Sequence, residues 1–99
     1  MTTTALSAFR VTLQDCDGIK PDLKKKAEAR FVKTLERSFP SQDAMSHAFK
    51  LFNDASEGGV ISKADERTAL SWQKAYEAAR QAGLQDIGME EAFFEVRLN

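Results

Sequence analysis

The apolar positions of the chain fall into two kinds of repeat. In the middle they recur at helical spacing, and at the two ends they alternate with polar residues. The first helical segment follows Lys20-Pro21-Asp22. Proline suits a first helical turn, where its missing N–H would be unpaired anyway. Leu23, Ala27, Phe31 and Leu35 then recur every fourth residue with Val32 beside them, which lines them along one ridge. Phe39-Pro40 ends this helix, because the residue before proline is pushed away from α geometry. The second helix opens at Ser41, an N-cap, with Asp43 in its first turn. Met45, Ala48, Phe49 and Phe52 form its apolar face, and Asn53-Asp54 with Gly58-Gly59 stop it. The third begins with Ser62 and Asp65, arranged like a capping box with Asp in place of Glu or Gln. Trp72, Ala75, Tyr76 and Ala79 make its face. Gly83 is the expected C′ residue, with Leu84 as its hydrophobic partner. Ala75, Ala79 and Ala82 allow another helix to approach closely, and Trp72 and Tyr76 are the expected core anchors.

The two ends echo each other. Residues 9–13 read Phe-Arg-Val-Thr-Leu and residues 94–98 read Phe-Glu-Val-Arg-Leu. Period two is the strand signature. If the ends pair, Phe9, Val11, Leu13, Phe94, Val96 and Leu98 pack onto the helices. Helical spacing is present too, in Met89, Ala92, Phe93 and Val96 and in Leu6, Phe9, Leu13 and Cys16. The expected fold class is therefore α+β, three central helices with short paired N- and C-terminal strands (β-α-α-α-β). The alternative is an all-α small helical bundle. The 99 residues suit a single small domain, 1–99. A two-stranded sheet would leave open edges, to be completed by a second copy in a four-stranded sheet or by a partner strand. Val11, Val96, Arg10, Thr12, Glu95 and Arg97 are the residues to watch there.

Composition narrows the class. With 42% hydrophobic and 29% charged residues, the chain reads as globular. A single cysteine, Cys16, excludes an intrachain disulfide and favours a reducing compartment. The start of the chain has no basic n-region followed by an apolar run, and no stretch approaches the roughly 20 apolar residues that span a bilayer. The expectation is a cytoplasmic protein without membrane association.

Little in the sequence points to catalysis. His47 is the lone histidine and reads as a surface residue, and Cys16 sits between Asp15 and Asp17, which disfavour a thiolate. Four Cys/His zinc ligands cannot be assembled. There is no nucleophile elbow, P-loop, dinucleotide fingerprint or His-Glu-x-x-His motif. No catalytic residue, cofactor or metal is expected. One stretch, residues 48–67, resembles an EF-hand in its helix–loop–helix rhythm. With Asp54 at loop position one, Ser56, Gly59, Ile61 and Asp65 fall at three, six, eight and twelve. The resemblance implies a degenerate calcium module, since Gly58 at position five offers no ligand and Asp65 is shorter than the usual Glu. Asp15-Cys16-Asp17-Gly18-Ile19 is a fainter, truncated echo.

The net charge of −1 conceals a polarised chain. Seven basic residues between Lys20 and Arg37 face three acids, giving +4 and leaving −5 for the rest. Lys26, Arg30, Lys33 and Arg37 follow spacings of four, three and four, one strip of a helix. The stretch from Leu84 onward carries −3. The candidate binding residues are Lys24, Lys25, Lys26, Arg30, Lys33 and Arg37. The leading expectation is a small non-catalytic adaptor or inhibitory accessory protein. It would bind another protein, or a second copy as a homodimer, through the basic strip or the terminal strand edges. The alternative is a nucleic-acid-associated regulator whose basic helix contacts phosphates.

Overall fold

The computed structural model describes residues 4–5, 9–14 and 18–98. The Asp15-Cys16-Asp17 echo and the helical reading of Leu6 fall outside them. The element order is β1 (Thr4–Ala5), β2 (Phe9–Gln14), α1 (Pro21–Arg37), α2 (Gln42–Ser56), α3 (Lys63–Asp86) and β3 (Phe93–Leu98). The β-α-α-α-β arrangement is thus the fold, and the all-α alternative is overturned at both ends. A third short strand joins the expected two, giving an antiparallel sheet of order β1-β2-β3.

The two Phe-x-Val-x-Leu segments pair as mirror images. Phe9 lies opposite Leu98, Val11 opposite Val96 and Leu13 opposite Phe94. Phe9, Val11, Leu13 and Phe94 are buried against the helices. Tertiary burial decides what the period alone left open: in strands Phe9, Val11, Leu13, Phe94, Val96 and Leu98 share one face, with Phe93 alone among the apolar residues of these strands on the other.

The helix ends follow their local chemistry. Pro21 occupies the first turn of α1, and the Ser41 and Ser62 hydroxyls accept from the N–H groups of Ala44 and Asp65 at 3.1 and 3.2 Å. α2 continues through Asn53 and Asp54 to Ser56 before Gly58, at φ +87°, turns the chain. There the N–H groups of Gly58 and Gly59 bond back to Ala55 and Asp54, a Schellman motif.

α3 departs from expectation at Gly83, which is not its C′ residue. The helix runs on to Asp86, and Gly88, at φ +67°, takes that role. The Met89 N–H reaches the Leu84 carbonyl at 3.0 Å and the Gly88 N–H reaches Gln85 at 3.2 Å, the full Schellman pattern. Gly83 is instead a close-approach residue. A Cβ there would lie 2.7 Å from Phe94 Cζ and 2.8 Å from the Ala27 carbonyl oxygen. α1, α3 and β3 converge at that point because the side chain is absent.

The core is one cluster with two aromatic groups. Phe9, Phe49 and Trp72 meet with ring centres 4.9–5.8 Å apart. Phe31 stacks on Phe94 at 4.4 Å and meets Tyr76 edge-on at 5.5 Å. Trp72 is a fully engaged anchor, whereas Tyr76 is half-buried. Among the described residues no helix is long and apolar enough to cross a membrane.

Candidate functional site

All three helices pack on one face of the sheet, so Arg10, Thr12, Glu95 and Arg97 lie on the other. The features that bear on recognition are the two flanks of the β2–β3 pair and a groove beside one of them.

Glu28 meets the first of these flanks, on the β1 side of the central strand β2. It is the one charged residue among the fully buried side chains described, at 0% exposure, and sits on α1 among Ala27, Phe31, Val32 and Leu35. Its Oε2 accepts the Leu13 N–H at 2.8 Å. Among the described residues β1 pairs with Arg10 and Val11, and Glu28 meets β2 two residues further along at Leu13. A buried N–H left without a partner costs on the order of 1–3 kcal/mol, which explains a carboxyl group on an apolar helix face.

Tyr76 acts at the second flank. Its hydroxyl donates to the Phe94 carbonyl at 2.9 Å and accepts the Phe94 N–H at 3.1 Å. Both backbone groups of Phe94 therefore point away from β2. Because these groups alternate sides along a strand, those of Val96 and Leu98 point the same way. No described side chain meets them. Burial raises the Tyr76 pKa, with a smaller contribution from nearby Glu77; the Phe94 hydrogen bond and Arg80 oppose it.

Beside this open edge runs a groove of about 560 Å³. α2 contributes Phe49 and Phe52, α3 contributes Trp72 and Tyr76, and β3 contributes Phe94 and Val96, with Asn53, Gln73 and Glu77 as polar lining residues. Arg80 fixes the approach to β3: its Nε donates to the Ala92 carbonyl at 2.7 Å while it pairs with Glu77 at 3.0 Å. Two large apolar side chains of β3 remain open to solvent, Phe93 and Leu98, each 45% exposed.

The basic residues divide. At about 100° per residue, Lys26, Arg30, Lys33 and Arg37 fall within roughly 60° of one another, opposite the buried stripe. All four are exposed. Lys24 lies about 160° round the helix from Lys26, on the core side and half-buried, and Lys25 flanks the strip. The six residues are therefore not one surface. None of the six forms an ion pair among the described residues; the two pairs found there are Arg80–Glu77 and Arg97–Glu95. His47 is exposed on α2, and Cys16 lies outside the described residues.

The EF-hand reading fails on geometry. Asp54 and Ser56 belong to α2 and Asp65 to α3, so the connection spans Glu57–Ser62 rather than twelve residues. The backbone around Asp54 and Asp65 is committed to helix capping. Among the described residues no cluster of three or more His, Cys, Asp or Glu side chains could hold a metal ion.

No protein-family model matches the chain, and neither a curated protein nor a solved structure shows detectable similarity to it.

Proposed function

We propose that this chain is a non-catalytic protein-interaction module that accepts an extended segment along β3. The reading rests on one observation: the outward N–H and C=O groups of Val96 meet no described side chain, and an aromatic groove lies on the buried side of the same strand. An incoming strand would gain backbone hydrogen bonds from the edge and place alternate side chains into the groove. The lone cysteine supports a cytoplasmic setting for such a module.

The test uses a display library of extended peptides against the wild-type protein and Val96→Pro. The Val96 N–H points away from β2, so proline removes an edge donor and leaves the internal ladder in place. Peptides should be selected by the wild type and lost with Val96→Pro. Selection of none, or equal binding by both proteins, refutes the reading.

A second reading is carried by the exposed strip of Lys26, Arg30, Lys33 and Arg37, which meets no described acid. It would contact phosphates with salt-dependent affinity. Duplex binding at low salt that disappears when Lys26, Arg30 and Lys33 become Glu supports it; no binding at low salt removes it.

A further inference from the structure

We propose that the segment paired with β3 is β3 of a second copy, running antiparallel with Val96 facing the partner's Val96. This rests on the strand-accepting reading above and names its occupant.

The charges on the outer face select that register. Glu95 and Arg97 point to the same side of the sheet and form an ion pair at 2.8 Å along their own strand. With Val96 opposite the partner's Val96, Glu95 faces the partner's Arg97 and Arg97 faces the partner's Glu95. A shift of two residues in either direction sets Arg97 against the partner's Arg97, or Glu95 against the partner's Glu95. Like charges directly opposite are destabilising. A shift of one would turn the apolar face outward. Within the monomer, Arg97 lies opposite Arg10 on β2, so the partner's Glu95 supplies the opposite charge that β2 does not.

The inner face agrees. In this register the 45%-exposed Leu98 lies opposite the partner's Phe94, whose ring is already buried in its own core, and the partly exposed Val96 lies against the partner's Val96. β2 and β3 already use the same combination, with Leu13 on Phe94, Val11 on Val96 and Phe9 on Leu98. The two copies would form a continuous sheet of six strands, not four, because β1 is present in each. The hydrogen-bonding positions are Phe94, Val96 and Leu98. The Tyr76 hydroxyl holds the Phe94 groups at 2.9 and 3.1 Å, so pairing releases that hydroxyl and transfers both groups to the partner's Leu98. Tyr76 is therefore an internal competitor of self-association.

Sedimentation equilibrium of the full chain tests this. The wild type should shift from monomer to dimer as concentration rises. Glu95→Arg alone and Arg97→Glu alone should each weaken association at least tenfold. An equimolar mixture of the two should restore it, because each cross-copy contact then joins an arginine to a glutamate. The double variant Glu95→Arg/Arg97→Glu regains both intrachain and cross-copy pairs and should dimerise like the wild type, which separates a lost contact from a lost fold. Tyr76→Phe should tighten association several-fold. A wild type monomeric at several hundred micromolar overturns the proposal, as does a mixture that stays monomeric or a Tyr76→Phe variant with unchanged or weaker association. If the wild type is monomeric while Val96-dependent peptide binding persists, self-pairing alone has failed. If peptide binding is also absent, the strand-accepting reading fails with it.

Discussion

The two flanks of the β2–β3 pair solve one problem differently. Each exposes backbone groups that a strand would otherwise pair. On the β2 side, Glu28 reaches up from α1 and takes the Leu13 N–H inside the core, at 0% exposure. On the β3 side, Tyr76 takes both groups of Phe94 from a half-buried position and leaves the outward backbone groups of Val96 and Leu98 with no described side-chain partner. The first is a permanent closure, because water cannot replace a ligand where it cannot reach. The second is a reversible one, because the hydroxyl and the strand both border an open groove. A small strand pair can thus have one flank built for stability and one left for binding.

The largest effect should come from breaking the closed flank. Glu28→Ala leaves the Leu13 N–H buried without this acceptor and opens a cavity, and should cost about 3–4 kcal/mol in urea unfolding. Glu28→Gln keeps an acceptor and should cost less. Equal loss from both would mean that the carboxyl group's charge, not the bond to Leu13, is what matters. Next comes Gly83→Ala, beneath the point where α1 and α3 support β3. Alanine is the better helix former by about 1 kcal/mol, yet its Cβ would meet the Ala27 backbone at 2.8 Å. The expected outcome is a net loss of about 1–3 kcal/mol, and a gain would show that the crossing relaxes freely.

Smaller effects belong to the open edge. Tyr76→Phe should cost about 1 kcal/mol of monomer stability, because water can reach the Phe94 groups once the hydroxyl is gone. The same tyrosine gives a pH signature. Burial favours its neutral form, so its folded pKa lies above the unfolded one. Its contribution is complete below the unfolded value and is lost as pH rises through the folded value. Absorbance titration should place its ionisation above that of a free phenol, and stability should decline across that alkaline window. Ionisation at the ordinary value would argue against the burial of that hydroxyl.

Much of this was readable from residue order. The Phe-x-Val-x-Leu echo, Pro21, Ser41 and Ser62 each specify a local structure whose chemistry is complete within a few residues. Gly83 is ambiguous in sequence because glycine serves both helix ends and close helix contacts, and only the position of Ala27 and Phe94 distinguishes them. Glu28 does carry a signal in the sequence: it falls among Ala27, Phe31, Val32 and Leu35 on the apolar face, where a carboxyl group requires a hydrogen-bond partner. The Leu13 N–H that it accepts lies 15 residues away on another element, beyond any local pattern. The groove and the role of the Tyr76 hydroxyl depend on how β3 is set against α2 and α3, which no spacing encodes. The basic strip was legible for four residues, whereas Lys24 and Lys25 were grouped with it by proximity in sequence and not by helical angle.

Amide hydrogen exchange read at Leu13 and Val96, over a range of protein concentrations, tests the central contrast most directly. The account predicts a Leu13 amide protected at every concentration. It predicts a Val96 amide that exchanges rapidly in dilute solution and becomes protected as concentration rises. A Val96 amide as protected as that of Leu13 in dilute solution, or one that stays fast at the highest concentration, would contradict it.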